Sequence, residues 1–358
     1  MKSIANPVAV LVHFIHRYFI WIIIVSYVVA ALTPTLGLWI QNTKQTLVFS
    51  QNQVVFSLPL FMLASLLFNA GLGVKTKELT QILDKPSFLF GGLFGNFATP
   101  LAFIVALSFA MKTWHNPEEV QLILVGLALV ASMPIAGAST AWTQNANGNL
   151  ASCLGLVLLT TFLSPLITPL ILDAVGFVTV DDYAEDLHEL ASGGVAGFLG
   201  VWVLLPSLLG ILTHCLIGTD RIERIKPVTK LINYFVLVLL NYSNASLTLP
   251  KAVSQPDVDL LAIMLVITVS MCIAAFATGY LLAVILEADR NKAVALMFGL
   301  GMNNNGTGLV LASVALSDHP QVMLPIIFYN LVQHLVASLV DYKMFQRQFH
   351  DQDQNPAV

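Results

Sequence analysis

Two stretches of this chain set carboxamides, hydroxyls and glycines among almost wholly apolar neighbours. One is GLGMNNNGTGL, from Gly299 to Leu309; the other is MPIAGASTAWTQNANGN, from Met133 to Asn149. Amides are costly in hydrocarbon and glycine weakens a helix, so neither stretch reads as plain membrane helix. Backbone that leaves the helical ladder must find partners inside protein or water. The freed carbonyls favour a cation, and the N–H groups where a helix resumes favour an anion. Packing through small residues, with amides as glue between helices, is the plainer alternative. It accounts for the glycines but not for three adjacent amides, Asn303, Asn304 and Asn305.

The elements that must carry these residues are membrane helices. The chain is 57% hydrophobic and 10% charged, with mean hydropathy +0.80, against about 25% charged residues in soluble domains. Apolar runs near the roughly 20 residues that cross a bilayer fall at about 18–40, 53–74, 87–111, 120–145, 150–172, 194–217, 230–249, 258–286, 291–316 and 321–342. The longest connection, around Gly176–Gly193, holds the acidic VDDYAEDLHEL, which reads as a solvated loop, with a small surface helix as the alternative. The N-terminal run passes directly into the first span and is read as retained. The net charge of −4 and the lack of a basic patch give no reason to expect nucleic acid. Cys153, Cys215 and Cys272 all fall within spans, so neither a disulfide nor zinc is expected.

Lysine and arginine set the orientation. With the N-terminus inside, the cytoplasmic side holds Lys2, Arg17, Lys75, Lys77, Lys85, Arg221, Arg224, Lys226, Lys230, Arg290, Lys292, Lys343 and Arg347. The outside holds only Lys44, Lys112 and Lys251. Both termini are therefore expected in the cytoplasm.

Ten spans divide into five and five, and an odd number per half forces the halves into opposite orientations. NAGLGVK (Asn69–Lys75) and NASLTLPK (Asn244–Lys251) echo each other, and the fourth span of each half is the interrupted one. The expected organisation is a first repeat at 1–175, an acidic external linker at 176–193, an inverted second repeat at 194–345 and a cytoplasmic tail at 346–358. Paired interruptions at corresponding spans point to a transporter site near the midplane.

At these residues the sequence resembles the bile acid:sodium symporter family over nearly its whole length. The resemblance rests on Pro134–Ser139 followed by Gly148 and Asn149, on Gly301-Met302-Asn303-Asn304 with Gly306, and on FYNLVQHLVA in the last span. It implies an all-α membrane protein of ten helices in panel and core domains, with helices 4 and 9 discontinuous and crossed. It also implies alternating-access transport of a small organic anion with sodium. The positions matching the family's first sodium site read Ser139 and Thr140, Cys153 and Val157, and Gly299, so the span 5 oxygens and the carboxylate are gone. The second site matches Asn96, Asn303 and the carbonyls of Gly299, Leu300 and Met302. Substrate contacts match Asn304 and Asn330, with Asn305 and Thr143 added as cavity-facing candidates. The expected setting is a bacterial inner membrane, with lipid and the substrate anion as partners, a monomer as the plausible state, and no cofactor beyond Na+.

None of the 20 Asp and Glu residues falls at mid-membrane; Asp173, Glu287 and Asp341 come closest, near span ends. A cation held only by neutral oxygens leaves a charge uncompensated in low dielectric. Either the site is weak, or the substrate's own anionic group supplies the charge; the second is the working hypothesis. His334 is the one intramembrane group of ordinary basicity, as a packing residue or a proton carrier. Asn69 and Asn244 either bridge helix ends or line the cavity, and Asn233, Asn241 and Ser243 cannot all share one face. A cation/proton antiporter would want an acidic residue in span 5, which has none, and a sodium-independent anion carrier is the other alternative. An enzyme built on Ser139 with His214 or His334 is not expected, because a dyad needs no mirrored partner span.

Overall fold

The computed structural model describes residues 11, 14–15, 18–49, 52–74 and 86–346. Lys2, Arg17, Lys75, Lys77, Lys85 and Arg347 of the charge count, and the tail from 347 onward, lie outside the described residues. The described chain is almost entirely helical: α1 (Phe19–Leu32), α2 (Thr35–Asn42), α3 (Leu58–Leu72), α4 (Pro86–Ala110), α5 (Pro117–Ser132), α6 (Ala138–Asn145), α7 (Leu150–Gly176), α8 (Asp181–Glu189), α9 (Val195–Phe198), α10 (Leu205–Ile217), α11 (Thr219–Ala245), α12 (Leu249–Ser254), α13 (Val258–Ile285), α14 (Arg290–Leu300), α15 (Asn305–Ala315) and α16 (Met323–Val340). Wide π turns join α8 to α9 and α9 to α10.

Four elements depart from the sequence expectation. Residues 53–57 are not helical: β2 (Asn52–Ser57) pairs antiparallel with β1 (Lys44–Phe49), Lys44 opposite Ser57 and Phe49 opposite Asn52. Their β-branched content, Thr46, Val48, Val54 and Val55, suits an extended ribbon, and Ser57 then caps α3 by accepting from Leu60 N–H. The first span is bent by 89° between α1 and α2, at Pro34, which has no N–H to continue the ladder. The acidic linker is helix α8, not loop. Asp181 and Asp182 occupy its first turn, where the helix dipole favours anions, and Leu187 is buried beneath it. Helix α11 begins 11 residues before the expected 230, at Thr219.

Among the described residues, five helical runs are long and apolar enough to cross a bilayer: Pro86–Thr113, Leu150–Gly176, Asp181–Ile217, Val258–Ile285 and Pro320–Met344. The bent α1–α2 pair makes a sixth. The remaining expected spans fall short for local reasons. The stretches at 120–145 and 291–316 are each broken in two, α3 is only 15 residues long, and α11 opens with Asp220, Arg221, Glu223, Arg224 and Lys226. Phe94, Leu166, Leu216 and Ile285 lie with two thirds or more of their surface exposed, an exterior that suits hydrocarbon rather than water.

The helices form two compact units, one of Met1–Thr76, Gly197–Asp257 and Gly306–Leu324, the other of Lys77–Ala196, Val258–Asn305 and Pro325–Val358. Within the first, amides bridge helices. Asn69 donates to Asn233 Oδ1 at 2.8 Å, Gln41 to Asn244 Oδ1 at 2.7 Å, and Tyr27 to Asn241 Oδ1 at 3.0 Å. Of the two readings of Asn69 and Asn244, bridging is the one these bonds support. Within the second, α7 packs against α4, α5, α8 and α14, and α13 against α4 and α14. That unit positions the site.

Candidate functional site

Both interruptions are present, and they meet. Helix α5 ends at Ser132, Met133 turns extended ahead of Pro134 (φ −80°, ψ 147°), and α6 resumes at Ala138. A residue before proline is pushed out of the helical region, so the sequence itself ends α5. Helix α14 ends at Leu300 and α15 starts at Asn305. Between them Ile135 and Asn303 pair antiparallel, flanked by Ala136 N–H to Met302 carbonyl at 2.8 Å and Asn304 N–H to Pro134 carbonyl at 2.9 Å. A two-residue ribbon thus stands where two helices have come apart, and it absorbs backbone groups that hydrocarbon would leave unsatisfied.

Helix α7 supports this crossing with a polar ladder. Thr160 Oγ1 accepts the Ile135 N–H at 3.1 Å, and Thr168 Oγ1 donates to the Ser132 carbonyl at 2.6 Å. With Ser164 they are fully buried and four residues apart, hence on one helix face. The sequence reading missed them, although that spacing was visible in span 5. Gly301 has no room for a side chain: a Cβ there would lie 2.3 Å from the Phe276 ring.

Two amides meet this frame with their nitrogens pinned and their oxygens bare. Asn303 Nδ2 donates to the Val130 carbonyl at 2.8 Å, and Asn96 Nδ2 to the Met133 carbonyl at 3.4 Å. Those acceptors lie three residues apart at the end of α5. Each side chain is 1% exposed, and neither Asn96 Oδ1 nor Asn303 Oδ1 has a hydrogen-bond donor. Since the nitrogens face carbonyls, chemistry fixes which end of each amide is oxygen. The Asn303 N–H donates to Gln333 Oε1 at 3.1 Å, and Gln333 reaches Asn330 Oδ1 at 3.5 Å. Gln333, on α16, is another residue the sequence reading passed over, although it follows Asn330 by three residues, one turn of the helix.

The positions matching the first sodium site are arranged differently. Ser139 is fully buried, donates to the Ala136 carbonyl at 2.7 Å and lies 3.3 Å from Cys153 Sγ. Thr143, also buried, is the other hydroxyl beside that thiol. Thr140 is half-buried and turns back to the Gly137 carbonyl at 2.7 Å. A Cβ on Gly299 would sit 3.3 Å from Leu156 Cδ1 and 3.8 Å from Ile135 Cδ1. Those side chains belong to an apolar cluster with Phe88, Leu89, Cys153 and Leu300. A side chain at 299 would therefore meet hydrocarbon at its first carbon.

The remaining candidates fall around the same frame. Leu300 and Gly299 contribute carbonyls from the last turn of α14, whose final four carbonyls have no partner within the helix; that of Gly299 accepts from Met302 N–H at 3.4 Å. The Met302 carbonyl is taken up in the ribbon. Asn304 and Asn330 are half-buried. Asn305 is 1% exposed, with both side-chain polar atoms lacking hydrogen-bond partners. His334 is half-buried, one residue beyond Gln333. Among the described residues no cluster of three His, Cys, Asp or Glu could hold a metal ion.

Comparison with known proteins identifies the family. The profile of the Sodium Bile acid symporter family matches residues 60–255, more than half of the chain. A protein of Bacillus subtilis (strain 168) named "Uncharacterized sodium-dependent transporter YocS" is 25% identical over 299 residues, 82% of this chain and 86% of its own. "Sodium/bile acid cotransporter 7-B" of Xenopus laevis is 25% identical over 341 residues, 90% of each chain. "Uncharacterized protein YbaS" of Bacillus subtilis (strain 168) is 27% identical over 224 residues, 62% of this chain and 69% of that protein. Buried amides at a helix crossing, an apolar exterior and a matching profile have one common explanation: the chain is an integral membrane protein of the Sodium Bile acid symporter family, a family of transporters and not of enzymes.

Proposed function

We propose that the protein is a sodium-coupled carrier that moves a small organic anion by alternating access, with one cation bound at Asn96 and Asn303. The observation that carries the reading is the pair of buried, donor-less amide oxygens beside a carbonyl-rich helix end. An amide oxygen sealed from water costs stability unless something occupies it, and a hard cation takes oxygen ligands of this kind. The carbonyls of Gly299 and Leu300 complete the set on this reading, with the second lone pair of Met302. Ser139 and Thr140 keep the two hydroxyls of the other cation position, which Gly299 leaves without a carboxylate.

The substrate enters as counter-charge. The cation side offers no carboxylate, so an anion held by Asn304, Asn330, Asn305 and Thr143 offsets the ion's charge, and each ligand raises the affinity for the other. The relatives named for sodium dependence and for bile acid cotransport support sodium and an organic anion as the pair. The antiparallel meeting of two broken helices supports ten spans in inverted repeats, 1–175 and 194–345, joined by the acidic segment 176–193 on the outer side. Panel and core domains, cytoplasmic termini with a tail at 346–358, a bacterial inner membrane and a monomeric carrier complete the reading.

Uptake by proteoliposomes in sodium-free buffer tests it. Uptake should collapse without Na+ and return with it, and Asn96→Leu should raise the half-saturating Na+ concentration by about tenfold, the effect of one lost ligand worth ~1.4 kcal/mol. Unchanged uptake without Na+ would favour the sodium-independent carrier. Uptake that instead follows pH would favour proton coupling through His334 or an antiport reaction.

A further inference from the structure

At the end of α5 opposite the crossing, the second unit holds a cavity of about 350 Å³. The 16 residues of α5, at about 1.5 Å rise each, put the two sites ~20 Å apart. Its walls come from three segments: the end of α4 with Phe109 and Met111, the start of α5 with Val120 and Leu124, and the 177–180 connection with Phe177. Most of these surfaces are apolar. Lys112 is the one cation in the lining, its Nζ held 4.6 Å from the centre of the Phe109 ring.

The surroundings of Lys112 decide its role. Glu119 is engaged by Trp114 Nε1 and Asn116 Nδ2, each at 2.7 Å. Asp173 pairs with His188 at 2.7 Å, and Asp259 with His115 at 3.2 Å. Among the described residues, no carboxylate forms an ion pair with Lys112. Gln121 fixes the third wall by accepting the Val180 N–H at 3.0 Å. An aromatic cavity with one unpaired ammonium offers an apolar body a place beneath a single negative head.

We propose that this cavity is a second binding site, for a free amphipathic monoanion, with Lys112 contacting the anionic head and Phe109, Trp114 and Phe177 the apolar body. Clefts of roughly 300 to 1,000 Å³ take compact small molecules; this one has room for a ring system but not for the two chains of a phospholipid. The site shares no residue with the crossing and does not depend on the roles given to Asn96 and Asn303.

Trp114 supplies the readout. A bromonaphthalene monosulfonate, which quenches tryptophan on contact, is titrated into the full-length protein in phosphatidylcholine nanodiscs. Saturable quenching is expected, and Trp114→Phe should remove it. Lys112→Met should weaken it about tenfold, the scale of one charge-assisted contact, while Lys112→Arg retains the wild-type affinity. Uncharged bromonaphthalene should bind wild type and Lys112→Met alike. Three results would overturn the proposal: quenching independent of Trp114, equal affinity in wild type and Lys112→Met, or equal loss in the Met and Arg variants. A fourth is loss of quenching in phosphatidylglycerol discs that Lys112→Met abolishes, since it assigns the site to a lipid head.

Discussion

At the scale of single residues, the site is defined by groups that touch too little or too much. Asn96 and Asn303 keep bare oxygens in a dry interior, whereas Gly301 and Gly299 face neighbours that exclude a side chain or crowd it. Gly301→Ala needs no change of φ, which is −74°; it forces a methyl into the Phe276 ring. Overpacking of this kind costs about 1–3 kcal/mol, so the variant should unfold at lower temperature, and Phe276→Leu should restore part of the loss in a thermal melt. The triple asparagine was readable because amides at that depth have few bland explanations. Gln333, Thr160 and Thr168 were less so: hydroxyls can satisfy themselves on their own helix, so only the structure distinguishes Thr160 and Thr168, which reach across to the crossing, from Thr268, which bonds back to Met264.

At the scale of elements, the broken helices were legible because Pro134 and the glycines interrupt the ladder by their covalent structure. The hairpin at 44–57 was not, since Val54-Val55-Phe56 reaches α3 with only Ser57 between them and a short apolar run has no period of its own. Helix α8 was hidden by its charges, which outnumber the buried Leu187 and Leu190 that hold it down. Helix α14 has a conventional start, with Asp289 as its cap accepting the Lys292 N–H at 3.0 Å. Partial burial alone would raise that carboxyl's pKa, but the Lys292 N–H and ammonium prevail and hold it below the ordinary range. A depressed pKa means a contribution present above the unfolded value, near 3.9, and lost as pH falls through the folded one. Asp289→Ala should therefore cost about 1 kcal/mol at neutral pH. In melts recorded from pH 7 downward, the gap to wild type should close only in strong acid.

At the scale of the whole molecule, no Asp or Glu falls in the middle of an expected span, and on the proposed reading this sets the charge that moves. One sodium ion travelling with one monovalent anion transfers no net charge, so a potassium gradient with valinomycin, of either sign, should leave the rate of Na+-driven uptake unchanged in proteoliposomes. A rate that follows the imposed potential would require a second cation or a neutral substrate. The apolar exterior and the helical content were legible from composition. The two compact units were not, because each gathers segments distant along the chain and no periodicity records which helices will pack together.

The meeting of Ile135 with Asn303 is made of main chain, whose N–H and carbonyl groups every residue but proline supplies alike. Those hydrogen bonds do not depend on the side chains at 135 and 303, whereas Pro134 and Gly301 are fixed by the break itself. Ion preference in such a protein can then drift by single substitutions, a glycine here or a leucine there, without the scaffold being rebuilt.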